Sequence, residues 1–212
     1  MTRTVPRLAI ASDLLCNNGT ILGFLSGLGG QPHVFEDTKS YAGQESSHFT
    51  IPASASGTSN LSEGRVAVIW FSDTDYDEWI IGPITKTRGA GAVYDVVCRP
   101  ITYKLTDCGF VKTDVTTQNG KPILDDGVIQ TSLMDLFQDK LIDNPNVNTL
   151  VPWLDIGTIA PSALIDLDWA NATPQALILA AVDAVQAVAG VPYDYRLVRN
   201  GTTSYDITVT AA

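Results

Sequence analysis

The sequence predicts an α+β protein: an antiparallel β-barrel or sandwich over residues 1-110, then a smaller α+β portion over 111-212 that contains a buried helix. Three observations carry this expectation. Through the first half, short runs rich in Val, Ile and aromatic residues recur between Gly, Ser, Asp and Pro clusters, which is strand-and-turn patterning. In the second half, "TPQALILAAVDAVQAVAG" carries both a start and a stop signal of a helix. Hydrophobic residues are 45% of the 212-residue chain and charged ones 17%, enough apolar content to fill cores and too little charge for general disorder.

In chain order, "TILGFLSGLGG" is an apolar run ended by glycines, and "HVFEDTKSYAG" alternates weakly. "SHFTIPASASGTSNLSEG" begins as a strand and passes into a Ser, Gly, Thr and Asn loop expected to be mobile. "RVAVIWFS" and "EWIIGPITK" are strands flanking an acidic turn, and "TRGAGA" is a second turn. "VYDVVCR" and "ITYKLTD" are expected as strands on either side of Pro100, whose missing N–H marks an edge, a bulge or a break. Four such strands with short connections make an antiparallel meander that closes toward a barrel or sandwich.

Asn119-Gly120 marks a hairpin turn, and "TSLMDLFQDKLID" places Leu133, Leu136, Phe137 and Leu141 at helical spacing behind Thr131 or Ser132 as N-cap, a helix near 132-142. Asn144-Pro145 ends it. "NVNTLVPWLDIGTIAPSALID" reads as irregular and apolar. The helix over 174-189 has Thr173 as N-cap, Pro174 at its first position and Gly190 just past its end. Only Gln175, Asp183 and Gln186 break its apolar surface, so it is expected to be almost wholly buried against a sheet. "YDYRLVRNGTTSYDITVT" is a hairpin around Asn200-Gly201 with type I′ turn chemistry. The chain stops two residues past that strand, which raises the expectation of a longer parent polypeptide.

Charge narrows the function classes. Twenty-three Asp and Glu against 13 Lys and Arg give a net charge of −10, so neither the counterion release of duplex binding nor attraction to anionic membranes is expected. The N-terminal "MTRTVPRLAIASDLLCNNG" is broken by Asp13 and the Asn pair before a secretory apolar core is complete, and the apolar stretch from Ala176 to Ala189 is too short to span a bilayer. Cys16, Cys98 and Cys108 show no metal or protease spacing and read as buried or idle thiols. His33 and His48 are too few for a zinc site, and His48 beside Ser46 and Ser47 makes no triad by itself. "GLGGQP" and "RGAGAVYD" lack phosphate-loop spacing, and the second leads into a strand rather than opening a helix. No catalytic residue, cofactor or metal is assigned.

Asp73, Asp75, Asp77 and Glu78 crowd one short stretch, followed by Trp79. A calcium loop starting at Asp73 would need Gly at its sixth position and a carboxylate at its twelfth, where Glu78 and Ile84 stand. A catalytic carboxylate pair needs two contrasting environments, which a water-exposed turn does not offer. The acids therefore read as the solvated tip of a hairpin that shapes a surface. Trp70, Trp79, Trp153 and Trp169 lie in or beside apolar runs, where core packing competes with a sugar-stacking platform.

Two stretches carry a resemblance. "EWIIGPITKTRGAGAVYDVVCRPITYKL" resembles the repeating barrel of phage tail-tube and tail-hub proteins, and "IDLDWANATPQALILAAVDAVQAVAGVPYDYRLVRNG" is similar to a segment of tail-tip hub proteins of long-tailed bacteriophages. Together they cover under half of the chain, and the first 60 residues match neither. The resemblance implies a barrel of tail-tube type in a non-enzymatic virion protein, a subunit of a tail tip or baseplate hub that forms a ring, as a homotrimer, around the DNA channel. Its implied partners are further copies of itself and other tail proteins, with DNA as passing cargo and no membrane contact. Asp73, Asp75, Asp77, Glu78 and Trp79 then become candidates for assembly or for lining the lumen, where carboxylates would repel a polyanion. The competing readings are a carbohydrate- or receptor-binding β domain and a tail-associated cell-wall hydrolase.

Overall fold

The computed structural model describes residues 2–5, 7–25, 33–38, 46–72, 74–107, 117–118, 121–122, 130–167 and 173–212. They fall into two units that divide between Ile101 and Thr102.

The first unit is one antiparallel sheet of β1 (Thr2–Val5), β2 (Arg7–Ala11), β3 (Ile21–Leu25), β4 (His33–Thr38), β5 (Ser46–Pro52), β6 (Val66–Trp70), β7 (Tyr76–Lys86) and β8 (Val93–Arg99), in the order β1-β4-β5-β8-β7-β6-β2-β3. The expected meander is present as β6, β7 and β8, with β5 added beside β8. Among the described residues the outer strands β1 and β3 are not paired to each other. Alternate residues send one face of each strand into a single core: Leu8 and Ile10, Leu25, Phe49 and Ile51, Ala67 and Ile69, Trp79 and Ile81, Val96 and Cys98. The opposite face of β2, β6 and β7 is buried too, through Ala9, Ala11, Val66, Val68 and Ile80, which explains why these strands read as continuous apolar runs. Gly82 and Pro83 sit where the β7–β8 register shifts between Ile81 and Ile84. A Cβ on Gly82 would come 3.3 Å from the Val97 carbonyl, so a bulge with Gly and Pro suits this site and bends β7.

The loop after β5 is tied down rather than loose. Thr58 Oγ1 donates to the Ala55 carbonyl at 3.0 Å, the Arg65 guanidinium donates to the Asn60 carbonyl at 2.7 Å, and Asn60 Nδ2 donates to the Leu22 carbonyl at 3.2 Å. The last bond lies on β3, which among the described residues pairs only with β2, so this loop covers part of an edge strand that would otherwise offer its carbonyls to another chain. Gly57 permits the approach: its φ is 81°, and a Cβ there would stand 2.4 Å from the Phe24 carbonyl oxygen. Gly57→Ala is expected to cost at least ~1–2 kcal/mol from the left-handed backbone alone, with the clash added. Chemical unfolding and the exchange rate of the β3 amides measure it, and wild-type stability with unchanged exchange would contradict the edge-cover account.

Past β8, "ITYKLTD", which starts at the last residue of the first unit and runs into the second, is not a strand. After Pro100 the chain turns through a 3-10 segment, Ile101–Tyr103, into α1 (Lys104–Asp107), which buries Leu105. Proline cannot supply the ladder N–H that would carry β8 onward. β9 (Thr117–Gln118) and β10 (Lys121–Pro122) pair antiparallel, with Asn119-Gly120 outside the described residues, and β11 (Gln130–Thr131) pairs with β13 (Ile165–Asp166). α2 (Leu133–Phe137) starts at Ser132, whose Oγ accepts from the Asp135 N–H at 3.1 Å, a cap worth about 1 kcal/mol. It continues as a π-helical turn over Gln138–Ile142, closed by Asp143 N donating to the Gln138 carbonyl, which buries Leu141 and Lys140, the latter ion-paired with Asp139.

The stretch expected to be irregular holds α3 (Pro145–Asn148) and β12 (Leu154–Ile159). β12 runs parallel to β15 (Ser204–Ala211), which pairs on its other side with β14 (Tyr193–Asn200). A parallel partner 50 residues downstream leaves no local turn to announce it, and Gly157 interrupts the alternation where the register shifts. α4 (Pro174–Ala189) has its predicted cap, proline and terminal glycine: Thr173 Oγ1 accepts from the Ala176 N–H at 3.2 Å, and Gly190 is left-handed with φ 70°. Leu177, Ile178, Ala181, Val182 and Val185 are buried, but Ala176, Ala180, Asp183, Ala187 and Val188 are exposed, so the helix is covered on one side only. Alanines on its outer stripe made it look buried all round. The β14–β15 hairpin pairs Asn200 with Ser204, leaving a three-residue loop in which Gly201 alone has positive φ, in place of the two-residue type I′ turn.

Candidate functional site

The acidic stretch begins at the tip of the β6–β7 hairpin. Trp70 and Tyr76 form the last cross-strand pair, and beyond them Phe71 N and Ser72 N donate to the Asp75 carbonyl at 2.9 and 3.2 Å. Ser72 Oγ accepts from the Asp75 N–H at 3.0 Å, so a serine at the start of the turn organises it, as local side-chain bonding predicts. Asp73 lies outside the described residues. Asp75 is exposed at the tip, and Asp77 is half-buried within β7 opposite Ile69.

Glu78 and Trp79 correct the picture of a wholly solvated cluster. Both belong to β7, and both are buried, at 4% and 7% exposure. Trp79 stands opposite Ala67 and fills the core space beside that small side chain. Glu78 points to the other face, where its Oε1 accepts from the Leu15 N–H at 2.7 Å and draws the β2–β3 connection onto the sheet. That connection is internally braced. Asp13 accepts from the Leu14 N–H at 2.8 Å and from Asn17 Nδ2 at 3.1 Å, Gly19 N donates to the Leu14 carbonyl, and Leu14 is buried. The strand period separates one acidic run into tip, rim and interior positions, an assignment that crowding of acids in the sequence hides.

A second feature joins residues far apart in the sequence. On the outer face of β2, β3 and β6, the Arg7 guanidinium carbon lies 4.9 Å from the Trp70 ring centre and 5.9 Å from that of Phe24, and the Phe24 and Trp70 rings are 5.9 Å apart. Tyr76 lies 5.9 Å from Trp70 on the other side. Phe24 is 48% exposed, and Ile21 and Leu22 of the same strand are also exposed. This is an amphipathic surface patch centred on a stacked arginine. Of the other tryptophans, Trp153 is buried edge-on to Tyr205, and Trp169 lies outside the described residues.

Among the described residues no three His, Cys, Asp or Glu side chains converge as a metal site. Nor does any described helix have the length and apolarity to cross a membrane. His48 is exposed on β5 while Ser47 is buried, so the two point to opposite faces and form no catalytic pair. "RGAGAVYD" runs from the β7–β8 connection into the start of β8, with Gly89 and Gly91 at positive φ. Cys98 is in the core, where burial pushes its thiol up to about 12. The fold holds the neutral thiol, so this contribution is present below the ordinary thiol pKa and is lost as pH rises through about 12. Native protein at pH 8 is expected to leave Cys98 unlabelled by a thiol reagent until denaturant unfolds it; rapid native labelling, mapped by mass spectrometry, would contradict its placement.

The chain is similar in fold to the prophage tail protein gp18 from Listeria monocytogenes EGD-e, with a TM-score of 0.52 and 15% identity over 95% of this chain and 50% of that one. Two further solved structures overlap it at a TM-score of 0.42: a tail protein from Neisseria meningitidis (13% identity, 94% of this chain, 50% of that one) and the prophage MuSo2 43 kDa tail protein from Shewanella oneidensis (10% identity, 96% and 52%). The chain thus spans about half the length of each. No protein-family model matches the sequence, and no curated protein matches it.

Proposed function

We propose that this chain is a structural subunit of a bacteriophage tail, acting by assembly rather than catalysis. The observation that carries the reading is the likeness in fold to a prophage tail protein across 95% of the chain, in line with the resemblance of the two sequence stretches. Within the tail, the finer assignment is a tip or baseplate hub subunit that forms a ring, as a trimer, around the DNA path, with other tail proteins as neighbours.

Two features of the first unit support a barrel of tail-tube type. Six steps of the sheet order separate β1 from β2, about 29 Å across a flat sheet at ~4.8 Å per strand. Yet only one residue stands between Val5 and Arg7, a reach of at most ~7 Å. The sheet order and the chain path agree if the sheet curls until its ends meet, which also lets residues on one face of β2, β3 and β5 to β8 share one core. Such a barrel is filled by side chains, so a DNA path belongs between copies, not inside one. Asp73, Asp75 and Asp77 are the proposed lumen or assembly carboxylates, repelling DNA so that it passes without being retained. Glu78 and Trp79 support that hairpin from beneath.

Electron microscopy of the purified, concentrated chain tests the ring: closed particles with a central hole wide enough for a duplex support it, and a field of single particles without a hole contradicts it. The exposed Phe24 ring and the half-buried Trp70 ring beside it keep a second reading, a carbohydrate- or receptor-binding β domain, in play. Glycan-array binding abolished by Trp70→Ala would favour that reading.

A further inference from the structure

We propose that β1 is exchanged between copies, so that Thr2–Val5 of one subunit pairs with β4 of the next; the inference rests on the assembly reading above. The ladder concerned runs from Thr2 opposite Glu36 to Val5 opposite His33 and lies at one end of the sheet order, while β2, the next strand in the chain, lies near the other. Its two strands are anchored differently. β2 lies between β6 and β3 with Leu8, Ala9, Ile10 and Ala11 all buried, and β4 is held from its other side by β5 through the pairs Phe35–Phe49 to Thr38–Ser46. β1 is held by β4 alone among the described residues. It is therefore a short strand, an arm joined to a fixed strand in the chain and laid on a fixed acceptor.

The connection suits exchange. One residue, Pro6, separates β1 from β2. Proline restricts the residue before it to extended backbone, so the arm is preset and no turn has to be undone for it to point elsewhere. The occupant follows from the acceptor: β4 already pairs with this strand, so a second copy brings an identical strand and the same backbone bonds re-form. Exchange leaves the ladder's own energy nearly unchanged. The balance is set by the local concentration of neighbours, which a ring raises by holding copies side by side. The seam of each barrel then becomes the joint between subunits, and the unassembled chain keeps the arm on its own β4.

Cysteines at the facing positions Thr4 and Val34 distinguish the two arrangements, because paired strands bring Cα atoms within disulfide reach. Chains bearing Thr4→Cys alone and Val34→Cys alone are mixed, refolded, assembled and mildly oxidised, with each variant by itself as the control for Cys16, Cys98 and Cys108. Exchange predicts a covalent dimer in the mixture that neither single variant gives. A chain carrying both substitutions reports the register itself by forming the bond. Exchange is overturned if that double variant crosslinks only within one chain and the mixture stays monomeric on a denaturing gel, and equally if the double variant forms no bond. Light scattering on the same samples separates the causes. An intact oligomer without mixed dimer removes exchange alone, whereas a monomer throughout removes the ring reading with it.

Discussion

Trp79→Ala is expected to destabilise the first unit by about 3–5 kcal/mol, the range for removing a large buried aromatic side chain. The ring is 7% exposed, lies opposite Ala67, and packs in the same core as Leu8, Ile10, Ile69, Ile81 and Val96. Removing it leaves a cavity in the middle of a sheet whose neighbours cannot all collapse inward. Trp79→Phe should recover much of the loss. The alternative role, a contact between subunits, makes a different prediction: monomer stability would hold and only the oligomer would weaken. Chemical unfolding of the monomer, read together with mass against concentration, distinguishes the two. Trp70→Ala is the internal comparison, since a half-buried ring on the outer face should cost far less.

The second large effect is at Glu78. Its carboxylate accepts from the Leu15 N–H at 2.7 Å in a buried setting, and a hydrogen bond to a charged group in such a place contributes about 1.5–3 kcal/mol. Glu78→Ala leaves that partly buried N–H without this acceptor and should cost an amount toward the lower end of that range; Glu78→Gln, which keeps an oxygen there, should cost less. Exchange of the Leu15 amide reads the bond directly. Accelerated exchange at Leu15 and along Asp13 to Gly19, in step with the loss of stability, is the expected result. Unchanged protection in Glu78→Ala would mean that the β2–β3 connection is held by its own Asp13 and Asn17 bonds alone.

Local chemistry was legible in the sequence where it acts within a few residues. Thr173, Pro174 and Gly190 bound α4 as their types require, and Ser132 caps α2. The strands either side of the acidic turn were legible from β-branched and aromatic runs. What was hidden depends on distant partners. β12 is defined by a parallel neighbour far along the chain, and the outer stripe of α4 is alanine, which binary patterning counts as core. The Ser, Gly and Asn loop seemed mobile because nothing local shows that Asn60 reaches Leu22 or that Gly57 meets Phe24. Within the candidate site, the charge cluster was visible, but Glu78 was not separable from its neighbours: only the strand period combined with the position of Leu15 turns it inward. The Arg7, Phe24 and Trp70 patch joins three strands, and no spacing in the sequence brings them together.

The central claim is assembly, and the solution mass of the purified chain, followed by light scattering through a dilution series, tests it most directly. A stable trimer or larger closed ring that persists on dilution is the predicted result. A monomer at every concentration would contradict it.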